Sequence, residues 1–399
     1  MKHLIIGNGV AGTTAALTIR KFDRESEIVI ISDETTPFYS RIRIIDYLAG
    51  EVDEKGLVIF KDEWYEKNNI MLLLNTKVTG LEPLSKEVIL SGAQRIRYDK
   101  LLLATGSTPF TPPLEGAHKN GVFALRTIDD AKKIKEYSKD RNNLIIIGGG
   151  ALGIEAGEAF RRAGKMVSIV EFLPRLLPRH MDIDGAEILK RNLEGRGLRI
   201  FLNAGPKEVV GEDTVEGLLL DDGSLIRGDM IITSAGVRSE TSLLEGLGVK
   251  LGVGVPVNDR METDVADIYA AGDLAEHRGI FYGIWPAAEK QGEISGINMA
   301  GGNAIYEGTL RSNILKVAGL DLLSAGELDA EGKLESIVVK DTDRGIYRKI
   351  IIEKDCVAGC ILYGDTFGKK EILTAIKERH TMHDMRDALE KLGFSAALK

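Results

Sequence analysis

The sequence predicts an α/β protein in which short buried strands alternate with helices. Two stretches carry this prediction, one at residues 143–171 and one at the beginning of the chain. Each stretch consists of an apolar strand, a glycine-rich turn, a helix and a second apolar strand. Unbroken apolar runs of about four or five residues are typical of strands that are buried on both faces of a parallel sheet.

In the central stretch, an apolar run is followed by Gly148, Gly150 and Gly153, at the spacing G-x-G-x-x-G, and the second strand ends on Glu171. This turn is typical of a site that binds a pyrophosphate at the N-terminus of a helix, while the acid accepts hydrogen bonds from ribose hydroxyls. Because both strands, the helix and the acid stand in order, the sequence predicts a Rossmann-like dinucleotide-binding domain here.

The same pattern begins the chain, where Gly7, Gly9 and Gly12 repeat the spacing. Asp33 is the first candidate for the adenosine ribose and Glu34 is the alternative, because the end of a strand cannot be located to the residue from sequence. Two dinucleotide sites in one chain are what an enzyme needs to pass a hydride between a nicotinamide and a flavin.

Composition narrows the class of protein. A chain of 399 residues has room for two or three domains, and its 44% hydrophobic and 28% charged residues are ordinary for a globular protein. The net charge of −8 argues against binding to nucleic acid or an anionic membrane, and no apolar run approaches the roughly 20 residues of a membrane span. Two cysteines, and a strand at the N-terminus in place of a signal peptide, favour a cytoplasmic location.

Other candidates lie near strand ends. Ala104–Gly106 and the turn ending at Gly236 are small-residue turns, which permit a ligand to approach the backbone closely. Arg41 could reach a pyrophosphate or flavin, and Asp273 could accept hydrogen bonds from a ribitol hydroxyl. Arg175 could hold the 2′-phosphate of NADPH, but the carboxylate that ends the central strand repels such a phosphate, so the sequence favours NADH.

The motifs occur in the order G-x-G-x-x-G, ATG, LRT, GGGxxGxE, a strand ending in Glu, YAAGD and WPAA with a later QG. This ordered set resembles the pyridine nucleotide-disulfide oxidoreductase superfamily of flavoprotein reductases. The resemblance covers about residues 1–300. It implies an FAD-binding domain formed by 1–108 and 240–310, and an NAD-binding domain formed by 109–239.

The resemblance also implies which residues bind each cofactor. FAD is expected to contact Gly7, Gly9, Gly12, Asp33 or Glu34, Arg41, the backbone of Val78, Ala104, Thr105, Gly106, Arg126, Asp273 and Trp285. NADH is expected to contact Gly148, Gly150, Gly153, Glu155, Glu171 and Gly236, with Glu155 near the nicotinamide. The flavin carries the chemistry, no side chain is assigned a certain catalytic role, and no metal is expected.

Disulfide reductases of this superfamily carry a redox cysteine soon after the first ribose acid, but the segment Thr35–Asp53 has none. The two cysteines are Cys356 and Cys360, which are expected to flank a strand turn as structural thiols. The chain therefore resembles the branch that lacks a disulfide relay, in which the flavin passes electrons outward. Related reductases often place a lysine beside the flavin where this chain has Asp46.

Residues 311–399 are expected to form a small α+β domain that resembles the C-terminal domain of NADH:rubredoxin oxidoreductases and the matching part of NADH-dependent nitrite reductases. The resemblance implies an FAD-containing NADH oxidoreductase, monomeric or homodimeric, that passes electrons to a small redox protein such as rubredoxin. Three alternatives stay open, namely the NADH-oxidising component of a nitrite reductase system, a flavin NADH oxidase and a redox-sensing flavoprotein. An acidic acceptor would favour a basic patch, but the simplest interpretation of the available cations is a solvated face (Arg344, Arg348, Lys349, Lys369 and Lys370).

Overall fold

The structure is a computed structural model that describes residues 1–317 and 319–394. The described residues form two compact units. The first unit comprises Met1–Arg43, Val52–Thr108 and Val237–Thr309. The second comprises Ile44–Glu51, Pro109–Gly236 and the described residues from Leu310 onward. The division into three domains that the sequence suggests stays a prediction.

The first 170 residues contain eleven strands and six α-helices. In chain order they are β1 (Lys2–Ile6), α1 (Val10–Phe22), β2 (Glu27–Ile31), α2 (Ile44–Leu48), α3 (Glu54–Leu57), α4 (Asp62–Lys67), β3 (Met71–Leu73), β4 (Val78–Glu82), β5 (Glu87–Leu90), β6 (Arg95–Arg97), β7 (Lys100–Leu103), β8 (Ser107–Pro109), β9 (Val122–Ala124), α5 (Ile128–Tyr137), β10 (Asn143–Ile147), α6 (Ala151–Arg162) and β11 (Met166–Val170). A short 3₁₀ turn spans Arg41–Arg43.

The rest of the chain contains fewer helices. The elements are α7 (Ile183–Gly195), β12 (Arg199–Phe201), β13 (Pro206–Val210), β14 (Gly217–Leu220), β15 (Leu225–Arg227), β16 (Met230–Thr233), β17 (Val237–Ser239), β18 (Val255–Val257), β19 (Ile268–Ala270), β20 (Ala275–His277), α8 (Trp285–Met299), β21 (Ser312–Val317), β22 (Leu320–Gly326), β23 (Glu335–Asp341), β24 (Ile346–Glu353), β25 (Cys356–Tyr363), α9 (Lys369–Glu378) and α10 (Met382–Leu389). A last helical turn covers Glu390–Phe394.

The first unit is built on a parallel sheet with the strand order β3-β2-β1-β7-β19. Its central strands are buried on both faces, as their unbroken apolar sequences predict. An antiparallel ribbon, β4-β5-β6, packs its apolar side chains into the core on one face of this sheet. On the other face, α1 and α8 pack closely because Gly292 and Gly296 lie directly against the backbone of α1, where a Cβ atom would collide.

The second unit contains a parallel sheet of matching design, with the order β12-β11-β10-β16-β9. Strand β10 takes the place of β1, and the helices that follow them, α6 and α1, begin after equivalent glycine-rich turns. The chain thus contains the same strand–turn–helix–strand arrangement twice. The predicted α/β class with two Rossmann-like sheets is confirmed.

The C-terminal part of the second unit is an antiparallel sheet, β21-β22-β25-β24-β23, with α9 and α10 packed against it. This confirms the small α+β region that the sequence predicts, although residues 318 and 395–399 of the predicted range 311–399 lie outside the described residues. The expectation that the two cysteines flank a turn is wrong. Cys356 and Cys360 both lie within β25, and the turn before it is made by Lys354 and Asp355, which have positive φ angles.

The solvated-face interpretation is also wrong for two of the five cations, because Arg348 and Lys349 are only 4% exposed. The guanidinium of Arg348 donates to the carbonyl oxygens of Leu392 (2.7 Å) and Phe367 (2.8 Å). The Lys349 ammonium lies 3.0 Å from a carboxylate oxygen of Asp182. Both cations therefore stabilise the packing of the unit and are not available to a partner.

Asp182 is the centre of a buried polar cluster that joins α7 to the C-terminal sheet. One carboxylate oxygen caps α7 by accepting from the Gly185 N–H (3.0 Å), and the other accepts from the Tyr347 hydroxyl at 2.6 Å. The Lys349 ammonium lies between this carboxylate and that of Asp329, which is 3.4 Å away. The negative charges of two buried carboxylates are thus compensated by one buried ammonium group.

The substitution Lys349→Met is expected to destabilise the protein by about 3–5 kcal/mol, because it leaves two buried carboxylates without a cation. The matched control is Lys340→Met, since Lys340 pairs with Asp184 in the same region but is 43% exposed. An exposed pair of this kind contributes about 0–1 kcal/mol. Denaturant unfolding of the two variants measures the difference, and equal losses of unfolding free energy would contradict the role given to the buried cluster.

Within residues 1–317 and 319–394, no helix is both long and apolar enough to cross a membrane.

Candidate functional site

The first and third glycines of the N-terminal turn are required by the protein itself. Gly7 has a φ of +113°, and its N–H donates to the carbonyl oxygen of Ile31 at 2.8 Å. A Cβ atom here would overlap the carbonyl oxygen of Ala104, and one on Gly12 would overlap that of Gly7. These two glycines let the turn pass tightly over the end of β1 and let α1 pack against it.

The central turn repeats this geometry. Gly148 has a φ of +117°, and its N–H donates to the carbonyl oxygen of Val170 at 2.8 Å. A Cβ atom on Gly148 would overlap the carbonyl oxygen of Ser234, and one on Gly153 would overlap that of Gly148. The two turns are therefore the same structural device, built at two places in the chain.

The middle glycines, Gly9 and Gly150, differ because nothing in the protein requires glycine there. Their φ angles of −94° and −77° are open to any residue. Apart from each glycine and its two chain neighbours, no heavy atom of the described residues lies within 4 Å of the position that a Cβ atom would take. Each is the N-cap of its helix, so each open space adjoins backbone N–H groups that have no intrahelical acceptor. Such a space fits a phosphate group, which the partial positive charge of the helix N-terminus also favours.

Glu171 follows β11 directly and is 8% exposed. Its two carboxylate oxygens accept from the backbone N–H groups of Gly149 (2.7 Å) and Leu173 (2.8 Å). Each oxygen keeps a lone pair that could accept from a hydroxyl. The carboxylate therefore holds the central turn in place and presents negative charge beside it.

Arg175 is engaged elsewhere. Its guanidinium donates to the carbonyl oxygens of Met181 (3.1 Å) and Pro178 (3.2 Å), within its own loop. A guanidinium tied to carbonyl oxygens is less free to turn toward a phosphate. The geometry of this loop thus agrees with the preference for NADH that the sequence indicates.

In the first unit, the position that corresponds to Glu171 is Ser32, because β2 ends at Ile31 as β11 ends at Val170. The acids follow one and two residues later. Asp33 is exposed, whereas the carboxylate of Glu34 accepts from the Tyr39 hydroxyl at 2.5 Å.

Arg41 lies with these groups. Its guanidinium forms an ion pair with Glu34 and donates to the Tyr39 hydroxyl at 3.1 Å. The structure therefore brings Glu34 and Arg41 together and leaves Asp33 on the surface. Which of the two acids contacts a ribose stays a prediction, and this arrangement favours Glu34.

The small-residue turn after β7 is hydrogen-bonded to the residue that follows β17 in the same unit. The Thr105 hydroxyl donates to the carbonyl oxygen of Glu240 at 3.0 Å, and Gly106 has a φ of +74°. The Ser107 hydroxyl donates to the Asp273 carboxylate at 2.8 Å, so this acid lies next to the turn that the sequence indicates. Ala104, Gly106 and Asp273 thus gather near the carboxyl ends of β7 and β19, where ligands of parallel sheets bind.

The four remaining predicted cofactor contacts lie in different parts of the two units. Val78 is buried on β4, and Trp285 begins α8 with its ring 5.9 Å from that of Phe38. Arg126 belongs to the second unit, where its backbone N–H donates to the Asp130 side chain at 3.1 Å. Gly236 has a φ of +103° in the turn after β16, which is the counterpart of the turn after β7. Their contacts with a cofactor stay predictions.

Glu155 lies on the second turn of α6 and is half-buried. Burial, followed by the negative charge of Asp46, raises the pKa of its carboxyl to about 7. Asp46 is in α2, which packs against α5 and α6 within the second unit. Lys135 of α5 is engaged with α2, since its ammonium donates to the carbonyl oxygen of Tyr47 at 3.0 Å. A carboxyl group that titrates near neutral pH therefore stands close to the central turn.

Sequence reasoning misses two residues of the first unit, Asn8 and Tyr65. The Tyr65 hydroxyl donates to the Asn8 side-chain oxygen at 3.0 Å, although the two residues are far apart in sequence. The sequence around Tyr65 indicates only an ordinary core aromatic, and no local pattern pairs it with the turn. In residues 1–317 and 319–394, no group of three or more His, Cys, Asp or Glu side chains is arranged to hold a metal ion.

Comparison with known proteins identifies the class. The chain belongs to the pyridine nucleotide-disulphide oxidoreductase family, which residues 1–292 match. Residues 312–380 match the rubredoxin NAD+ reductase C-terminal domain. Both resemblances that the sequence motifs indicate are thereby confirmed.

Individual relatives differ in length. The chain is 36% identical over 378 residues to the nitrite reductase (NAD(P)H) of Bacillus subtilis, covering 94% of this chain and 47% of that protein. It is 34% identical over 365 residues to the NADH-rubredoxin oxidoreductase of Clostridium acetobutylicum, covering 91% of each. The crystal structure of NADH:rubredoxin oxidoreductase from Clostridium acetobutylicum matches with a TM-score of 0.82 at 32% identity, covering 96% of each chain. The chain spans about half the length of the first curated relatives it matches.

Proposed function

We propose that the protein is an FAD-containing NADH oxidoreductase that passes electrons from NADH to a small redox protein such as rubredoxin. The observation that carries the proposal is the pair of open spaces at Gly9 and Gly150, each at the N-terminus of a helix in a turn of the same design. Two such spaces fit two pyrophosphates. The match over nearly its full length to an NADH-rubredoxin oxidoreductase supports the choice of cofactors and acceptor.

The residues of each turn fit one cofactor. In the first unit, the turn at Gly9, the Glu34–Arg41 pair and Asp273 would hold FAD through its pyrophosphate, ribose and ribitol groups. In the second, the turn at Gly150 and the carboxylate of Glu171 would hold the pyrophosphate and ribose of NADH. When bound, FAD supplies the chemistry of accepting a hydride and releasing single electrons. The protein contributes binding and orientation.

The acceptor is tested by steady-state oxidation of NADH with purified rubredoxin, with oxygen and with ferricyanide as acceptors. We expect rubredoxin to support turnover at rates well above those with oxygen. Ferricyanide serves as a control that accepts single electrons without a protein surface. Fast turnover with oxygen alone would contradict the choice of acceptor and favour an NADH oxidase.

A second candidate is the NADH-oxidising component of a nitrite reductase system. The identity of 36% with a nitrite reductase over 94% of this chain favours it. This candidate predicts NADH-dependent reduction of nitrite when a sirohaem partner protein is added, and none with the chain alone. Absence of nitrite reduction with such a partner, alongside rapid turnover with rubredoxin, would exclude it.

The proposal includes a cytoplasmic location, for which the two free thiols, Cys356 and Cys360, are the supporting observation. Fractionation of the producing cells tests it.

The rate at which NADH reduces the protein is expected to rise with pH around neutrality. If Glu155 lies near the nicotinamide, its ionised carboxylate stabilises the positive charge that the ring gains as hydride leaves. Its raised pKa of about 7 means that the group is mainly neutral at acidic pH and mainly ionised at alkaline pH, so the rate should increase, by about fivefold for a partly solvated charge.

Stopped-flow reduction between pH 6 and 8 measures this ionisation. Asp46→Asn should move it toward acidic pH, because it removes the second cause of the raised pKa of Glu155. Glu155→Gln should abolish it. The matched control is Glu187→Gln on the exposed face of α7, which should leave the profile unchanged. An ionisation that persists in Glu155→Gln would assign it to another group.

A further inference from the structure

The two glycine-rich turns are held in place by different groups. In the central turn, the residue between the first two glycines is Gly149, whose N–H is bound by the carboxylate of Glu171. In the N-terminal turn, the corresponding residue is Asn8. Ser32 occupies the position that corresponds to Glu171. Its hydroxyl accepts from the N–H of Glu34 at 3.3 Å and does not bind the turn. The N-terminal turn therefore needs another support.

Tyr65 supplies a contact at this position. Its hydroxyl donates to the side-chain oxygen of Asn8 at 3.0 Å and accepts from the N–H of Phe38 at 3.2 Å. Because the Phe38 N–H can only donate, the hydroxyl proton is left to bond the side-chain oxygen of Asn8. A single hydroxyl thus connects the N-terminal turn with the segment that leads to Tyr39 and Arg41.

The tyrosine is itself held firmly. It is 3% exposed, and the ring of Trp64 meets it edge-on at a centroid distance of 5.0 Å. Trp64 in turn stacks on Phe60 at 4.0 Å, and Phe60 contacts Phe38 at 5.3 Å. This packing fixes the position of the Tyr65 hydroxyl. Its hydrogen bond to Asn8 can therefore restrain the movement of the N-terminal turn. Burial also raises the pKa of Tyr65, which keeps the hydroxyl protonated.

We propose that Tyr65 and Asn8 form a latch that holds the N-terminal turn in the conformation that accepts the pyrophosphate of FAD. This inference rests on the proposed binding of FAD at Gly9. Tyr65 and Asn8 are positioning residues, because they act on FAD through the backbone of the turn. When the latch is broken, the turn also adopts conformations that do not bind FAD. The affinity for FAD then falls in proportion to the fraction of molecules whose turn keeps the binding conformation.

The test measures the dissociation constant of FAD from reconstituted apoprotein in Tyr65→Phe, Asn8→Ala and the double variant. Each single variant is expected to bind FAD about 10- to 30-fold more weakly, the loss that accompanies a broken buried hydrogen bond. The double variant should bind no more weakly than the weaker single variant, because both changes break the same contact. Tyr98→Phe is the matched control, since Tyr98 is also 3% exposed but its hydroxyl is buried without a partner in the described part of the chain.

Thermal unfolding and the rate of reduction by NADH distinguish a broken latch from a general loss of structure. The latch predicts that thermal unfolding of the apoproteins shifts by no more than about 5 °C, as expected for the loss of one hydrogen bond in a chain of this size. It also predicts that the rate of reduction by NADH at saturating FAD equals that of the wild type. If Tyr65→Phe does not fold, Asn8→Ala carries the test alone, because it leaves the packing of Tyr65 intact. An unchanged FAD affinity in the single variants, or additive losses in the double variant, would overturn the latch.

The failure of the latch and of the proposed function can be told apart with Gly9→Val. If Gly9→Val loses FAD while Tyr65→Phe and Asn8→Ala keep the wild-type affinity, FAD binds as proposed and the latch is wrong. If Gly9→Val keeps FAD, the cofactor does not bind at this turn. Both the proposed FAD site and the latch would then be wrong.

Discussion

The substitution Gly150→Val is expected to abolish reduction of the protein by NADH while the protein keeps its FAD. The space beside Gly150 is open and its backbone conformation is accessible to valine, so the variant should fold normally. In the proposed complex, however, the added methyl groups would occupy the volume of the pyrophosphate. A clash that costs about 3 kcal/mol or more lowers the affinity for NADH by at least about 100-fold.

The matched variant is Gly9→Val, which makes the same change in the turn of the first unit. It should remove FAD and with it the yellow colour, without affecting the binding of NADH to the apoprotein. Absorbance at the flavin maximum and calorimetric titration with NADH measure the two properties separately. If either valine disturbed both cofactors equally, or neither, the assignment of one turn to each cofactor would be wrong.

The protein is also expected to prefer NADH to NADPH by at least about 100-fold in kcat/KM. The reason is the buried carboxylate of Glu171, which is bound to two backbone N–H groups and cannot swing away from a 2′-phosphate. Arg175 cannot readily compensate, because carbonyl oxygens of its own loop engage it. Repulsion between two negative charges in a poorly solvated site opposes NADPH binding strongly.

Glu171→Gln tests this explanation. It is expected to reduce the preference for NADH by about tenfold or more, through a gain for NADPH and a loss for NADH. The loss arises because an amide nitrogen cannot accept from the backbone N–H that the second carboxylate oxygen bound. Glu187→Gln serves again as the control on an exposed helix face. A preference that survives unchanged in Glu171→Gln would show that other residues discriminate between the nucleotides.

The periodic parts of the fold could be predicted from the sequence because their signals are local. The glycine spacings predict both turns, and Glu171, which the sequence places at the end of the second central strand, follows β11 directly. The two equivalent strand–turn–helix–strand patterns also build two sheets of matching design, as the α/β prediction implies.

Features that depend on distant contacts could not be predicted. Arg348 and Lys349 resemble surface cations in the sequence because their buried partners, such as Asp182, lie far away along the chain. The choice between Asp33 and Glu34 depends on where β2 ends, and a shift of one residue reverses the direction of the side chain. The role of Tyr65 escapes sequence reasoning for the same reason, since only the folded chain brings its hydroxyl to the N-terminal turn.

The proposed function requires that electrons enter from NADH, reach the flavin and leave singly to a protein acceptor. Anaerobic stopped-flow spectroscopy tests it most directly, by mixing the purified protein with NADH or NADPH and then with oxidised rubredoxin. We expect rapid bleaching of the flavin with NADH, slow bleaching with NADPH, and rapid return of the flavin absorbance when rubredoxin is added. Rapid bleaching followed by no reoxidation with rubredoxin would contradict the proposed acceptor, and no bleaching with NADH would contradict the proposed NADH oxidoreductase function.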